Sequence, residues 1–370
     1  MRGSAVRKLD AVVREYHWGS RTALAEMRGE PSPSPTPQAE LWVGAHPDDP
    51  SRLAGCGVPL DAHLAANPAG LLGPASLAAF GPRLPFLLKV LAVDAPLSLQ
   101  VHPDRERART GFAEHGYRDD RGKPEVLVAL TDFETLSGFR DPAATRALLR
   151  ELGVPGLDPM RAALAAGDTA GALRWALREG GAVVDEVARA AAGVPALRHV
   201  ADLARVHPAD AGVVAALLLN AVVLEPGQAV YVRPGVLHAH LRGVGVELMA
   251  NSDNVLRAGL TPKAVDVPGV LSLLDHRSGP AEAPVVEVDG PLRTYRTPDP
   301  EFRLHAVRAG AVLPGDGPQL LLCTGGSVVV ARDGESVVLR GGESAFLPHD
   351  PANAASVTGD GEAFWATVGG

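Results

Sequence analysis

Five polar residues in three apolar segments have the types and the spacing of metal ligands. Gln100 and His102 lie two residues apart in LSLQVHPD, and His238 and His240 repeat this spacing in GVLHAHL. In a strand, side chains two residues apart point to the same side. Glu125, just before the apolar run VLVAL, adds a carboxylate. We therefore expect these donors to converge inside a β structure.

Such a set of donors is suited to a divalent cation. Two imidazoles, one carboxylate and one amide oxygen, without thiolates, are typical of zinc but also suit manganese, iron or cobalt. For each histidine taken alone, an ordinary hydrogen-bonded role is the alternative. We expect that ordinary role for the remaining histidines, which are His17, His46, His63, His115, His199, His207, His276, His305 and His349.

A second polar group follows in VELMANSDNVLRAGLTPK, residues 246–263. Glu247 interrupts an apolar strand, Asp253 belongs to a polar turn, and Arg257 and Lys263 come soon after. Cations placed in this way bind phosphate groups. The alternative is a capped turn whose charges are solvated.

Lysine is rare in this chain. Of the 35 basic residues, 31 are arginine and four are lysine. Where arginine serves, arginine is used, so a retained lysine indicates a position that requires a compact ammonium group. Lys89 lies in the apolar run that precedes LSLQVHPD, Lys123 lies two residues before Glu125, and Lys263 ends the second polar group. Chance also explains such a small number.

The elements that position these residues are short strands. Apolar runs predict strands at 84–93, 97–102, 126–130 and 133–139, and Asp333-Gly334 predicts a hairpin turn between 327–331 and 336–340. Alanine- and leucine-rich segments with helical spacing begin after Asp141-Pro142, an expected helix start. They predict helices at 145–152, 159–166, 170–178, 182–192, 195–206 and 209–219.

The predicted fold class is mainly β with an α-helical insertion. We expect residues 1–140 and 220–285 to form one β domain, residues 141–219 to form the insertion, and residues 286–370 to form a second β domain. Many short strands separated by glycine and proline turns favour sandwiches or jelly rolls.

Composition excludes several classes of protein. The net charge is −8 and no basic run is present, which argues against a nucleic-acid partner. The longest apolar run, 212–224, contains Asn220 and is too short for a bilayer, and the N-terminus lacks the apolar core of a signal peptide. Cys56 and Cys323 form no CxxC or disulfide pattern, so we expect a cytoplasmic protein.

Taken together and in order, these motifs resemble the type I phosphomannose isomerase family. The likeness covers most of the chain. The segments that carry it are YHWGS (16–20), AELWVGAHPDDPS (39–51), LPFLLKVLAVDAPLSLQVHPD (84–104), KPE (123–125), GVLHAHL (235–241) and residues 246–263.

The resemblance implies a zinc cupin with an inserted helical domain and a second, C-terminal cupin-like domain. His305 and His349 have no paired spacing, so we expect the second domain to lack a metal. The resemblance implies one zinc ion per chain, with Gln100, His102, Glu125 and His238 as its ligands. It places Arg257 in catalysis, Ser98 near the phosphate or the pocket wall, and Lys123, Glu247 and Lys263 in the pocket. From the residues themselves we expect Lys123, Glu247 and Asp253 as catalytic candidates and Lys263 and His240 in substrate binding.

The implied reaction is the isomerisation of mannose 6-phosphate and fructose 6-phosphate through a cis-enediol, which supplies mannose metabolism and precursors of GDP-mannose. The general base stays open between Glu247, Asp253 and Lys123. The implied partner is a small sugar phosphate, and the chain is expected to be a monomer or a dimer. Rival interpretations are an iron-dependent cupin oxygenase, against which Gln100 argues as a fourth ligand, and a non-catalytic sugar-phosphate or metal-binding cupin.

The chain departs from the family pattern at two places. Many members have Asn-His before Lys-Pro-Glu, where this chain has Arg121-Gly122, and many have tyrosine where this chain has His240. Because histidine titrates near neutral pH, one hypothesis gives His240 a proton-handling or substrate-orienting role. The alternative is a passive residue in the wall of the site.

Overall fold

The computed structural model describes residues 6–369. Up to residue 140 the chain alternates strands with short helices. In order, these are β1 (Arg7–Asp10), β2 (Val12–Arg14), α1 (Ala23–Met27), β3 (Glu40–Gly44), β4 (Arg52–Leu53), α2 (Leu60–Ala66), α3 (Pro68–Leu72), α4 (Pro74–Phe80), β5 (Phe86–Val93), β6 (Leu99–Val101), α5 (Arg105–Glu114), β7 (Glu125–Ala129) and β8 (Phe133–Phe139).

Strands β5, β7 and β8 confirm the predicted strands, and β6 is a shorter form of the strand predicted at 97–102. Helices α1 to α5 were not predicted. Proline at the first position and a following glycine delimit α3 and α4, and the Asp104 side chain caps α5 by accepting a hydrogen bond from the Arg107 N–H. These helices are short or polar, so they lack the long apolar periodicity from which helices are predicted.

The segment from 141 to 218 is helical. It contains α6 (Pro142–Leu152), α7 (Asp158–Ala165), α8 (Thr169–Glu179), α9 (Val184–Ala191), α10 (Arg198–Val206) and α11 (Ala211–Ala215), with 3₁₀ turns at Gly180–Val183, Pro195–Leu197 and Ala216–Leu218. The six predicted helices are present, but these turns shorten the last three. None of the helices between residues 6 and 369 has the length and apolar character that a bilayer span requires.

The strands around the candidate site form one ten-stranded sheet. After the helices come β9 (Leu219–Leu224), β10 (Ala229–Val232), β11 (His238–Ala250), β12 (Leu256–Gly259) and α12 (Val267–Leu273). Strand β11 has 13 residues, and its second half lies between β5 and β7 while its first half pairs with β6 and β8. One strand therefore carries both His238 and Glu247 through the site.

The C-terminal part is a sandwich of strands. It contains β13 (Val285–Asp289), β14 (Leu292–Arg296), β15 (Arg303–Val307), β16 (Val312–Leu313), β17 (Gln319–Gly325), β18 (Ser327–Arg332), β19 (Glu335–Arg340), β20 (Ser344–Leu347), β21 (Ala355–Gly359) and β22 (Glu362–Thr367). Strands β18 and β19 confirm the predicted hairpin, in which Asp333 and Gly334 both have positive φ. Strands β16, β21, β18 and β19 form a four-stranded sheet.

The eight-stranded sheet joins the two ends of the chain. Its order is β13-β14-β15-β22-β17-β20-β1-β4, so two strands from the first 53 residues pair within the C-terminal part. One apolar core then combines residues of both parts, including Leu9, Leu88, Leu304 and Phe346. The mainly β class with a helical insertion is confirmed, whereas the exact domain boundaries stay a prediction.

The central strand β5 gives a stability prediction. Val90 is fully buried between β3 and β11, whereas Val223 on β9 is 60% exposed. We expect Val90→Ala to lower the free energy of unfolding by about 2–3 kcal/mol, through lost burial and the cavity left behind. The control Val223→Ala should cost less than about 1 kcal/mol. Urea unfolding followed by fluorescence measures both, and equal effects would contradict this account of the core.

Candidate metal centre and active site

Two histidines and a glutamate from three different strands meet at one buried point. His102 directly follows β6, Glu125 begins β7, and His238 begins β11. His102 Nε2 lies 3.3 Å from Glu125 Oε1, and His238 Nε2 lies 3.5 Å from Glu125 Oε2. One donor atom from each of the three lies within 4.8 Å of the other two, and all three residues are buried. The structure therefore brings together three of the four predicted ligands.

The two imidazoles are held with the same nitrogen pointing inward. His102 Nδ1 lies 3.0 Å from the carbonyl oxygen of Asn254, and His238 Nδ1 lies 3.0 Å from that of Val236. The Nε2 atoms of both are buried without a hydrogen-bond partner. Burial lowers the pKa of His102 to about 4, so its ring is neutral at pH 7. Neutral imidazoles oriented through Nδ1 are what a bound metal ion requires.

Gln100 lies beside this cluster. It pairs with His238 across β6 and β11 and with Arg257 across β6 and β12, and it lines the same cavity as Glu125. Its amide is therefore near the three donors. Its role as the fourth ligand stays a prediction.

The cavity at this cluster has a volume of about 430 Å³. Seven predicted site residues besides Glu125 line it, and they share polar or charged side chains. They are Ser98, Gln100, Lys123, His240, Glu247, Arg257 and Lys263. Its size is within the usual range for a small-molecule site.

A line of alternating charges forms the deep wall of the cavity. Lys89 Nζ lies 3.5 Å from Glu40 Oε2 and 3.4 Å from Glu247 Oε2. Burial alone would lower the pKa of Lys89, but Glu40 and Glu247 raise it above its ordinary value. Burial and Glu125 would raise the pKa of Glu247, but Lys89 and His240 outweigh them and lower it. Both Lys89 and Glu247 are therefore charged at neutral pH.

The three remaining cations of the cavity differ in their partners. Lys123 Nζ lies 3.0 Å from Glu125 Oε1. Burial alone would raise the pKa of Glu125, but Lys123 and His102 hold it well below its ordinary value. By contrast, no ion pair or side-chain hydrogen bond within residues 6–369 engages the side chains of Arg257 and Lys263. These two cations are available for an anionic ligand.

Asp253, one of the three predicted bases, is not among the residues that line this cavity, and its catalytic role stays a prediction. Its carboxylate lies 3.3 Å from His46 Nε2 and 3.7 Å from Arg118. The hydrogen bond to His46 lowers the pKa of Asp253. After the strand ends at Ala250 the alternation of side chains stops, so strand periodicity does not predict where this carboxylate points.

Asp119 organises the turn that contains Asp253. Its carboxylate accepts hydrogen bonds from the Asp253 N–H (2.8 Å), the Ser252 hydroxyl (2.9 Å), the Asn254 amide (3.1 Å) and the Arg121 N–H (3.0 Å). Through Asn254, whose carbonyl oxygen contacts His102 Nδ1, this carboxylate fixes the orientation of a predicted ligand. No motif or spacing in the sequence indicated Asp119.

His240 faces the cavity, as the strand alternation predicted. Its Nδ1 lies 3.0 Å from the Thr135 hydroxyl, its Nε2 lies 3.6 Å from Glu247 Oε1, and its ring packs edge-on against Phe133. The ring is thus held in one orientation beside the carboxylate. Whether it handles protons stays a hypothesis.

Several residues of the cavity wall were not predicted as site residues. Those with charged or aromatic side chains are Tyr16, His17, Trp18, Glu40, Lys89 and His207. His17 and His207, for which an ordinary role was expected, both lie on the cavity wall, and their role stays a prediction. The scarcity of lysine did indicate Lys89, and the YHWGS motif contained His17 and Trp18.

The departure at Gly122 has a steric explanation. A Cβ atom at this position would lie 2.9 Å from the backbone nitrogen of Arg105, at the start of α5. Helix α5 therefore approaches the loop so closely that only glycine fits, and no side chain from this position enters the site.

Comparison with known proteins gives one consistent result. The family model for the catalytic domain of type I phosphomannose isomerases matches residues 6–142. The mannose-6-phosphate isomerase of Salmonella typhimurium is 35% identical and is matched over 95% of this chain and 97% of its own length, and that of Escherichia coli is 35% identical over 98% and 99%.

A solved structure gives the same answer. The structure of the Salmonella typhimurium mannose 6-phosphate isomerase bound to fructose 6-phosphate and zinc superimposes with a TM-score of 0.91 and 31% identity, covering 99% of this chain and all of that one. Sequence, fold and site geometry thus agree, and the chain belongs to the type I phosphomannose isomerase family, whose fold is that of the cupins.

Proposed function

We propose that this protein is a zinc-dependent aldose–ketose isomerase that interconverts D-mannose 6-phosphate and D-fructose 6-phosphate. The observation that carries the proposal is a single cavity in which buried metal-ligand atoms lie with two unpaired cations, Arg257 and Lys263. The Salmonella relative, solved with fructose 6-phosphate and zinc, supports it. The reaction would supply mannose metabolism and precursors of GDP-mannose.

Gln100, His102, Glu125 and His238 would hold one zinc ion per chain. The two inward-facing Nε2 atoms without partners and the ionised Glu125 support this ligand set. When bound, a zinc ion supplies Lewis-acid polarisation of a substrate oxygen.

The cations that remain free would recognise and activate the substrate. Lys263, with the hydroxyl of Ser98, is proposed to bind the phosphate group, for which a compact ammonium is suited. Arg257 is proposed to stabilise the negative charge that develops on the substrate oxygen as the cis-enediol forms. Lys123 would donate a further hydrogen bond to a substrate oxygen while it neutralises Glu125.

Glu247 is proposed to move the proton between C2 and C1. It is a buried carboxylate that faces the cavity and is ionised, as a base must be before it accepts a proton. Lys89 and His240 contact its two oxygens and fix its orientation. Glu247 is preferred to the other two candidates because Asp253 pairs with His46 outside the cavity lining and Lys123 pairs with Glu125.

The first experiment tests function and metal together. Purified protein should contain about one zinc ion per chain by mass spectrometry and should form fructose 6-phosphate from mannose 6-phosphate in a coupled assay. A chelator should abolish the activity and zinc should restore it. His102→Ala and His238→Ala should lose most of the metal, because three remaining ligands bind more weakly, whereas His115→Ala, an exposed histidine, should keep it. Full metal and activity in both variants would refute the ligand assignment.

The second experiment concerns Arg257. Arg257→Lys keeps the charge but loses the planar group, so we expect kcat to fall roughly a hundredfold or more, the scale for loss of one preorganised charge-stabilising donor. Zinc content should not change. Arg242→Lys, an exposed position on β11, is the matched control and should retain full activity. A near wild-type kcat in Arg257→Lys would remove this residue from the mechanism.

The third experiment concerns Asp119, a positioning residue. Asp119→Asn replaces one acceptor oxygen by an amide that faces hydrogen-bond donors, so the turn that holds His102 should loosen. We expect zinc affinity to fall roughly 10- to 100-fold, as for other residues that orient metal ligands, measured by competition with a chromogenic chelator. Asp132→Asn, an exposed aspartate between β7 and β8, is the control. Equal zinc affinities in the two variants would show that the Asp119 contacts do not support the metal centre.

A further inference from the structure

A second polar pocket lies behind the loop that precedes β7. It has a volume of about 220 Å³ and shares no lining residue with the active-site cavity. Helix α5, the loop before β7 and the segment before β5 form its walls. Its charged lining residues are Arg83, Arg105, Arg109, Arg121, Asp120 and Glu301.

The charges in this pocket are not balanced. Two carboxylates face four guanidinium groups, and no ion pair or side-chain hydrogen bond in the described part of the chain engages the guanidinium groups of Arg83, Arg105 or Arg109. Arg121 Nε is buried without a hydrogen-bond partner, 3.8 Å from Asp120 Oδ1. Burial, and then the charge of Arg121, lower the pKa of Arg83. The pocket therefore has a positive potential.

The fold brings these arginines together despite their repulsion. Arg105 and Arg109 are four residues apart on α5 and so share one face, where like charges are unfavourable. Gly122 allows α5 to approach the loop that carries Arg121, because any Cβ there would meet the Arg105 nitrogen. An anion between these side chains would remove the repulsion.

We propose that this arginine pocket binds a phosphate group, either as inorganic phosphate or pyrophosphate or as the phosphoryl end of a small metabolite. Guanidinium groups bind phosphate oxygens in pairs, with two parallel N–H···O bonds. The pocket is smaller than the roughly 300–1,000 Å³ typical of sites for larger organic ligands, so it would enclose the anionic group and little else.

The bound anion would act on the metal centre through the backbone. Arg121 Nη1 donates to the Asn251 carbonyl (2.8 Å), and the Arg121 carbonyl accepts from the Ser252 hydroxyl (3.2 Å) and the Asn254 amide (3.0 Å). Asn254 in turn contacts His102 Nδ1. An occupant that orders Arg121 therefore supports the turn that orients a metal ligand, and phosphate should raise the melting temperature of the holoenzyme by mass action.

The test measures binding of inorganic phosphate to the zinc-loaded protein by calorimetry at low ionic strength. The starting protein is the double variant Arg257→Gln/Lys263→Gln, which lacks the active-site cations. Phosphate binding in the active site therefore no longer dominates the measured heat. In that background we expect one saturable site. Adding Arg83→Gln/Arg109→Gln should weaken it at least tenfold, because two charged donors are lost. Adding Arg107→Gln, on the same helix but outside the pocket, should leave it unchanged.

Each other outcome overturns the proposal. The proposal is wrong if no saturable binding is found. It is also wrong if binding survives Arg83→Gln/Arg109→Gln, or if Arg107→Gln weakens it equally. In each case only general charge attraction would explain the result. If the double variant does not fold, Arg109→Gln alone, on an exposed position of α5, must weaken binding roughly threefold or more, because one charged donor is lost. Repeating the titration with pyrophosphate and with fructose 6-phosphate identifies the preferred source of the phosphate group.

The result is independent of the proposed isomerase activity. In the otherwise wild-type protein, Arg83→Gln/Arg109→Gln should change the KM for mannose 6-phosphate by less than twofold if the pocket is separate. A large rise in KM would show that it belongs to the active site. An inactive wild-type enzyme would refute the proposed function without affecting the phosphate titration.

Discussion

Glu125 carries a negative charge at a point where water contributes almost nothing to its solvation. A buried ionised carboxylate costs several kcal/mol unless charges and hydrogen-bond donors surround it, and here Lys123 and two imidazoles do so. The same requirement for opposite charges applies to the neighbouring buried group, where the Lys89 ammonium lies between the carboxylates of Glu247 and Glu40. A divalent cation at the inward-facing Nε2 atoms would complete this alternation of charge. The metal centre and the candidate base are therefore parts of one electrostatic arrangement.

Strand β11 is the element that makes this arrangement possible. Its 13 residues pair first with β6 and β8 and then with β5 and β7, so a single strand connects two sets of neighbouring strands in the ten-stranded sheet. His240 near its start and Glu247 near its end line the same cavity although they belong to different ladders, and His238 contacts Glu125 on the cavity wall. Neighbouring strands then supply Glu125 and Lys89 at fixed register. Rigid ladders hold these side chains more precisely than loops would.

The features that follow from local patterns could be predicted from the sequence. Strand alternation placed His238 and His240 on one face, and the helical insertion followed from its apolar spacing. Features that depend on long-range packing could not be predicted. The pairing of β1 with β20 joins residues more than three hundred positions apart, and His17 and His207 reach the cavity only because the fold brings their loops together. Asp253 shows the limit of the periodic rule, which says nothing about directions in a turn.

The position of Asp253 outside the cavity also explains why its turn is so polar. Asp119, His46 and Arg118 hold Asp253 and its neighbours from three directions, and the one atom of this turn that reaches the metal cluster is the carbonyl oxygen of Asn254, at His102 Nδ1. A backbone carbonyl orients an imidazole only if the backbone itself cannot move, and a turn has no ladder of its own to restrain it. The polar side chains of Asn251–Asn254 supply that restraint. The polar residues of this turn thus hold in place the carbonyl that orients His102.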